Sequence, residues 1–185
     1  MTMSDNVLAQ DAGVANDVFG MSDNTNLFQR VMSMRDGGRE RSLREIQPDE
    51  PTMTLFKTVR PNIVQSIRAF RVPDLAVEAA RLGHHFLYAW CANAQSKAEV
   101  LETIATEFLL PKHFGKNYDA LYDCLTDMVD KAGAQPGFVI VLEGVPTAVK
   151  FDKDARETLL DVFREAAEFW AERKVAFRVF YSFAA

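Results

Sequence analysis

Three aspartates stand four residues apart near the middle of the chain, at Asp119, Asp123 and Asp127, and Asp130 follows closely. On a helix, residues at this spacing share one face, so their carboxylates would form an acidic ridge. Like charges four apart repel each other by roughly 0.2–0.5 kcal/mol per pair, and Asp is unfavourable in a helix interior. An acidic ridge that weakens its own helix suggests a surface that meets positive charge, but acidic helix faces are common, and on the ridge alone an ordinary solvated face is the favoured interpretation.

The opposite face of the same predicted helix is apolar. At about 100° per residue, Leu121, Cys124, Leu125 and Met128 fall together on it. Asn117 precedes the first turn and is a favoured N-cap residue, because its side-chain oxygen can accept a hydrogen bond from a free backbone N–H. The spacing therefore predicts a helix that begins after Asn117, buries one face and exposes the acidic ridge.

The remaining reactive side chains give little support for an enzyme or a metal site. The adjacent pair His84–His85 lies at the entrance of a predicted strand, where a structural role is expected, and the chain has no Cys-x-x-Cys or His-x-x-x-His spacing. Cys91 and Cys124 lie in apolar segments, which predicts two buried, free and inert thiols. His113 and Asp123 are the one candidate acid–base pair, for a small hydrolase or lyase. We expect no catalytic residue, no metal and no cofactor.

Composition and charge exclude several classes of protein. The chain has 185 residues and a formal net charge of −5, which argues against direct binding of nucleic acid through a basic surface. Its first residues, MTMSDNVLAQDAG, lack the basic and apolar regions of a secretory signal, and no run of about 18 apolar residues is present. We therefore expect a cytoplasmic protein that does not contact a membrane, with its thiols kept reduced.

The chain divides into two parts at about residue 60. Residues 1–60 hold nine acidic and seven basic residues, with few and unspaced apolar ones. A segment of this kind buries too little surface to offset the entropy of ordering it, which predicts a disordered N-terminal extension. A segment that becomes ordered on a partner is the alternative. Residues 61–185 have regular patterns and are predicted to form the folded domain.

Strands and helices alternate within residues 61–185. Short apolar runs predict three buried strands, at 85–92, 138–144 and 175–183. Helical spacing and end signals, such as those of Asp74–Gly83 and the capping box Ser96–Glu99, predict about four helices, with Pro111 as the stop of the second. Alternation of this kind is typical of an α/β fold with a small parallel sheet, here of three strands.

A second acidic row lies on the long helix predicted at 154–173. Glu157, Asp161 and Glu165 are four residues apart, but arginines such as Arg164 lie among them. Opposite charges at neighbouring positions of a helix face stabilise the helix. We therefore interpret this row as a solvated face on the evidence of its pattern.

The run P-x-x-F-G-x-N-x-D-A-L-x-D-C-L-T at 111–126 closely resembles the barstar family, whose members are intracellular protein inhibitors of the secreted ribonuclease barnase. A glycine, an asparagine, two aspartates and a cysteine fall at the matching places within it. From His85 onward the predicted strands and helices also follow the order of the family. The resemblance covers roughly residues 80–185 and none of residues 1–60. It implies a barstar-like three-layer α/β fold.

The resemblance also implies a mechanism without chemistry. In the barstar family the acidic helix and the loop before it block the active site of the nuclease. At matching positions, Asp123 would take the place of an RNA phosphate and Asp119 would contact a second basic residue. Asn117 would cap the helix and meet the guanine-recognition region, Tyr122 would lie at the rim, and Glu165 would add an outlying charge contact.

The aromatic positions depart from the pattern of the family, while the charges are kept. His113 stands where the family has a tyrosine that packs on the catalytic histidine of the nuclease, and a histidine can stack there too. Tyr122 and Met128 replace two tryptophans. We therefore expect a barnase-like ribonuclease, or another toxin with a basic site, as the protein partner. The alternative is a non-catalytic interaction module with the same fold and a non-nuclease partner.

Overall fold

The computed structural model of the protein describes residues 55–128 and 133–184. Within these ranges the chain forms four β-strands, β1 to β4, at Ile63–Ser66, His85–Trp90, Gly137–Val145 and Ala176–Phe183. It also forms five α-helices, α1 to α5, at Leu55–Thr58, Val72–Arg81, Lys97–Glu107, Tyr118–Thr126 and Lys153–Glu172. No helix in this part of the chain is long and apolar enough to cross a lipid bilayer.

All four strands are parallel and lie side by side in the order β1-β4-β3-β2. The predicted parallel α/β sheet is therefore confirmed, but the predicted number of three strands is wrong. The additional strand, β1, pairs with β4 at the edge of the sheet. It has four residues, all half-buried, and Gln65 and Ser66 are polar. A strand this short, without an apolar run, gives no pattern that the sequence could reveal.

Helices cover both faces of the sheet, which gives the three layers that the resemblance implies. Successive side chains of a strand point to opposite faces, and on β3 both sets are fully buried. Phe138, Ile140 and Leu142 enter the larger core, beneath α3, α4 and α5. Val139 and Val141 enter the smaller core, beneath α1 and α2. The acidic helix α4 thus lies in the layer of α5, on the face opposite α1 and α2.

The N-terminal part of the prediction falls mostly outside the described residues. Residues 1–54 are not among them, so the disorder predicted for 1–60 stays a prediction there. Residues 55–60 are described, and Phe56 and Val59 are buried in the smaller core. These six residues stand before the predicted domain start at 61 and nevertheless contribute to the packing of the sheet.

The end of α2 follows the signal that the sequence contains. Gly83 has a φ of +66°, in the left-handed region that favours glycine. The Gly83 N–H donates to the Ala80 carbonyl at 3.1 Å, and the His84 N–H donates to the Ala79 carbonyl at 2.8 Å. These two bonds form a Schellman motif, so the predicted helix end at Gly83 is confirmed.

The end of α3 comes earlier than the sequence predicts. The helix ends at Glu107, before the predicted stop at Pro111. Leu109 adopts a φ of +53°, and the Leu110 N–H donates to the Ala105 carbonyl at 2.8 Å. The chain therefore leaves the helix through the same kind of motif as α2, with a leucine at the left-handed position. Nothing in the sequence marks Leu109 for this conformation, because glycine is the usual residue there.

Substitutions at the left-handed positions of these two helix ends, Gly83 and Leu109, should have opposite effects on stability. Gly83→Ala should lower the free energy of unfolding by about 1 kcal/mol, because the added Cβ has room but strains the backbone. Leu109→Gly should raise it by up to about 1 kcal/mol, since Leu109 is 68% exposed and relieving its backbone strain outweighs the packing lost. Urea unfolding of both variants beside the wild type measures the two changes. A stability loss in Leu109→Gly would contradict this account of the α3 end.

Candidate functional site

The acidic helix α4 begins where the sequence predicts. The Asn117 side-chain oxygen accepts a hydrogen bond from the Ala120 N–H at 2.8 Å, so Asn117 is the N-cap. Its side-chain amide donates to the Gly115 carbonyl at 3.3 Å. A Cβ on Gly115 would lie 3.1 Å from that amide nitrogen, so the close approach favours glycine. The cap therefore ties the preceding loop to the first turn of the helix.

Two hydrogen bonds fasten α4 to the neighbouring helix α5, one near each end. The Tyr118 hydroxyl donates to the Ala155 carbonyl at 2.9 Å, and the Trp170 indole N–H donates to the Leu125 carbonyl at 3.0 Å. Between these bonds, Leu121 and Leu125 are fully buried. Burial raises the pKa of Tyr118 to about 12, so its hydroxyl retains the proton that it donates. The helix is held as a rigid element before any partner arrives.

The outer face of α4 carries carboxylates without counter-charges. Asp119 and Asp123 are exposed and one helical turn apart, and Asp127 is exposed at the C-cap. None of the three forms an ion pair with another residue in the described ranges. Asp130, the last member of the predicted ridge, lies outside the described residues. We call the surface formed by Asp119, Asp123 and Asp127 the acidic ridge, and its charge is available to a partner.

The acidic row on α5 differs from the acidic ridge, because an arginine of the same helix neutralises part of it. The Arg164 guanidinium pairs with Asp161 and lies 3.9 Å from the Glu157 carboxylate. This arrangement agrees with the solvated face that the pattern predicts. Glu165 is exposed on the same helix and forms no ion pair within the part of the chain that the structure describes.

The loop before α4 holds His113 between two fixed points. Phe114 is buried in the larger core, and its N–H donates to the Pro111 carbonyl at 2.8 Å. Lys116 pairs with Glu102 of α3, so this positive charge beside the helix start is neutralised. His113 itself is exposed. The loop therefore presents His113 to solvent just before the first turn of α4.

The acid–base pair considered for catalysis does not form. No hydrogen bond or ion pair joins His113 to Asp123 among the described residues, and both side chains are exposed. Burial raises the pKa of the Cys91 thiol to about 12, which removes it as a nucleophile at neutral pH. Within residues 55–128 and 133–184 there is also no group of His, Cys, Asp and Glu that could hold a metal ion. The geometry around α4 supports contact with a partner through charge and shape.

Side chains at the borders of α4 complete its apolar face. Met128 packs in the larger core, as its place on the predicted apolar face requires. Cys124 forms no disulfide but is only half-buried, so the prediction of a buried thiol is wrong for this residue. It lies at a border because the buried side of the helix is centred on Leu121 and Leu125. Tyr122, at the other border, packs partly against the core and leaves part of its ring open to a partner.

The structure brings most of the predicted site residues onto one loop–helix unit. Four of them are exposed and one is half-buried there, namely His113, Asn117, Asp119, Asp123 and Tyr122. The sixth, Glu165, lies on α5, which packs against α4. No hydrogen bond or ion pair links Glu165 to the other five among the described residues. Glu165 therefore lies on the neighbouring helix and is not part of the loop–helix unit.

Sequence reasoning missed the two bonds that fasten α4. Tyr118 lies inside the run at 111–126, but its acceptor Ala155 is 37 residues away along the chain. Trp170 reaches Leu125 across 45 residues. Helical spacing shows only that Trp170 faces inward and gives no sign of its acceptor. Contacts between distant segments leave no local signal, so only the folded chain reveals them.

Residues 84–182 match a family model described as Barstar (barnase inhibitor), which covers more than half of the 185 residues. The chain belongs to the Barstar family. The matched span contains the loop with His113, α4 with the acidic ridge, and α5 with Glu165. Barstar-family proteins are inhibitors and not enzymes, and the member named in the description acts on barnase. The family membership that the run at 111–126 predicts is thereby confirmed.

The bond between Tyr118 and α5 should be measurable as stability. Tyr118→Phe should lower the free energy of unfolding by about 1 kcal/mol, because the Ala155 carbonyl loses its donor. Tyr122→Phe is the matched control, since the Tyr122 hydroxyl has no hydrogen-bond partner in the described structure, and it should change stability by less than about 0.5 kcal/mol. Denaturant unfolding of both variants tests this. Equal effects of the two substitutions would show that the Tyr118 bond does not hold α4.

Proposed function

We propose that this Barstar-family protein is an intracellular inhibitor of a barnase-like ribonuclease. The loop at 111–117 and α4 enter the active site of the enzyme and exclude RNA without a chemical step. The observation that carries the proposal is the acidic ridge, with unpaired carboxylates at Asp119 and Asp123 on a helix fastened at both ends. A cytoplasmic location accords with the lack of a disulfide between Cys91 and Cys124, because a reducing compartment keeps thiols from forming disulfides.

The acidic ridge has the charge and the rigidity to replace an RNA phosphate. A site that holds phosphate is lined with cationic side chains, and a carboxylate can accept two parallel hydrogen bonds from one guanidinium. We assign Asp123 to the phosphate position and Asp119 to a second basic residue of the enzyme. Because α4 is already fixed against α5, ordering of the helix costs little on binding. Binding energy is then available for the charge contacts.

The other site residues surround these two carboxylates. His113 is presented to solvent and can stack on an aromatic or imidazole ring of the enzyme. The half-buried ring of Tyr122 supplies a rim contact, and its packing limits the entropy lost on binding. Asn117 uses its side chain for the helix cap, so its contact with the guanine-recognition region is secondary to positioning α4. Glu165 adds an outlying charge from α5.

A partner other than a nuclease is the second candidate. The observation that favours it is the burial of Met128, which removes one exposed position where the family pattern has an aromatic contact. A partner with a different surface chemistry could then use the same acidic ridge. Binding that depends on Asp119 and Asp123 but leaves ribonuclease activity intact would select this candidate over the inhibitor.

Neutralising the acidic ridge should abolish inhibition while stability is preserved. The full chain is titrated against a barnase-like ribonuclease captured with it from the lysate or secreted proteins of the source cell. Wild-type protein should remove the activity at one inhibitor per enzyme. Asp119→Asn/Asp123→Asn should bind at least about 100-fold more weakly, because loss of each of two central charge contacts costs about 2 kcal/mol or more.

The matched control for this experiment is Asp161→Asn. Asp161 is an exposed carboxylate on α5 that is paired with Arg164, so its loss removes one charge but leaves the acidic ridge. Affinity should stay within about fivefold of the wild type, the range expected for an exposed ion pair. Equal affinity of the wild type and Asp119→Asn/Asp123→Asn for the ribonuclease would rule out the proposed function.

The acidic ridge should also set the rate of association. Unpaired carboxylates attract a basic active site over distances of about 10 Å at moderate salt, and added salt screens this attraction. The association rate constant of the wild type should therefore fall steeply as salt rises, and that of Asp119→Asn/Asp123→Asn should fall less. Stopped-flow mixing at several salt concentrations gives both slopes. Identical slopes would mean that the ridge does not steer the encounter.

A further inference from the structure

An open cleft of about 680 Å³ lies at the amino ends of β2, β3 and β4. It is on the side of the sheet covered by α1 and α2, away from the acidic ridge. Its volume falls within the range typical of small-molecule sites, roughly 300–1,000 Å³. Its charged and imidazole side chains come from the two helices and from the segments that lead into the strands, namely Lys57, Glu78, Arg81, His84, Lys174 and Arg178, and Asn62 adds a neutral amide.

The cleft is basic although the protein is acidic. Among the described residues, four lysines and arginines line it, against one glutamate and no aspartate. The single acid, Glu78, is already engaged, because both of its oxygens accept hydrogen bonds from Arg81, at 2.7 and 2.9 Å. Lys57, Lys174 and Arg178 are left to set the character of the cleft, which is that of a site for an anion.

Two nearly buried side chains in the lining have hydrogen-bonding nitrogens without a partner. Arg178 is 6% exposed and His84 is 8% exposed. The Arg178 guanidinium reaches the Val59 carbonyl only at 3.4 and 3.5 Å, and its Nη1 has no partner among the described residues. The Nδ1 of His84 is also unpartnered there. Buried polar groups are almost always paired, so two unpaired nitrogens at one cleft require an explanation.

Packing holds both of these side chains in place. The Phe56 ring lies parallel to the His84 ring, with centroids 6.1 Å apart, and the Arg178 guanidinium carbon lies 4.7 Å from the Phe56 centroid. A Cβ on Gly137 would lie 2.8 Å from the His84 ring, so that ring rests on the backbone at the start of β3. Burial lowers the pKa of His84 and of Arg178, and a bound anion would offset that cost of charge.

Stabilisation of helix ends explains why some of the basic residues line the cleft, but it does not explain Arg178. Arg81 and Lys174 stand at the C-terminal ends of α2 and α5, where a positive charge stabilises the helix dipole. Arg178 lies within β4, away from any helix end, and receives no such benefit. Its burial with an unpaired nitrogen therefore calls for a different cause.

We propose that this cleft binds a phosphate group, either as free phosphate or as the phosphate of a small molecule. A tetrahedral oxyanion can accept hydrogen bonds from the Arg178 guanidinium and the His84 ring together with charge from Lys57 and Lys174. Both nitrogens are shielded from solvent by the cleft wall, so binding would require that wall to adjust. The site lies on the opposite face of the sheet from α4 and does not depend on the proposed inhibition of a ribonuclease.

The test is a titration of the full chain with inorganic phosphate at constant ionic strength, followed through its backbone amide NMR signals. Saturable shifts should concentrate at the cleft, including His84 and Ala176. Lys57→Gln/Lys174→Gln should weaken binding by about fivefold or more, because both lysines are exposed and can be changed without disturbing the core. Arg178→Gln should abolish binding, and Arg164→Gln on the outer face of α5 should leave it unchanged.

A parallel titration with a nucleoside monophosphate separates the two sources of phosphate. Tighter binding of the nucleotide would assign the cleft to a phosphorylated small molecule, and equal affinity would assign it to the phosphate group alone. Absence of shifts at the cleft with both probes would overturn the proposal. Equal affinity of the wild type and Lys57→Gln/Lys174→Gln would overturn it too, whether or not Arg178→Gln folds.

Discussion

Helix α5 fixes the position of α4, and the exposed acidic ridge relies on this contact. The acidic helix has nine residues, fewer than the roughly 12–15 that an isolated helix needs, and its charges repel each other. Burial of Leu121 and Leu125 and the bonds made by Tyr118 and Trp170 supply what the helix lacks. The core thereby supports a row of unpaired carboxylates that the local sequence could not hold in place.

The two faces of the sheet have opposite electrostatic character. On the side of α4 and α5, the acidic ridge is open to solvent, and Lys116, a basic residue beside it, is paired with Glu102. On the side of α1 and α2, the cleft gathers positive charge around Arg178. The net charge of −5 averages over these two surfaces and describes neither. The two proposed sites lie on opposite faces of the sheet, so occupation of one would not block the other.

Local signals predicted the elements of the site, and long-range contacts escaped prediction. The cap at Asn117 and the turn at Gly83 follow from the conformations that these residue types favour. The apolar face of α4 follows from helical spacing, while the half-burial of Cys124 depends on how closely α5 approaches. The edge strand β1 was missed because its pairing with β4 is made across the whole domain. The cleft was missed for the same reason, since Phe56 and Arg178 are far apart in the chain.

The proposed inhibition places Asp123 at the phosphate position of a ribonuclease. A double-mutant cycle is the most direct test, pairing Asp123→Ala with alanine substitution of the arginine that holds substrate phosphate in the captured enzyme. Direct contact between the two charges should give a coupling free energy of about 1 kcal/mol or more. Additive effects of the two substitutions, with inhibition retained by each, would show that Asp123 does not occupy this position.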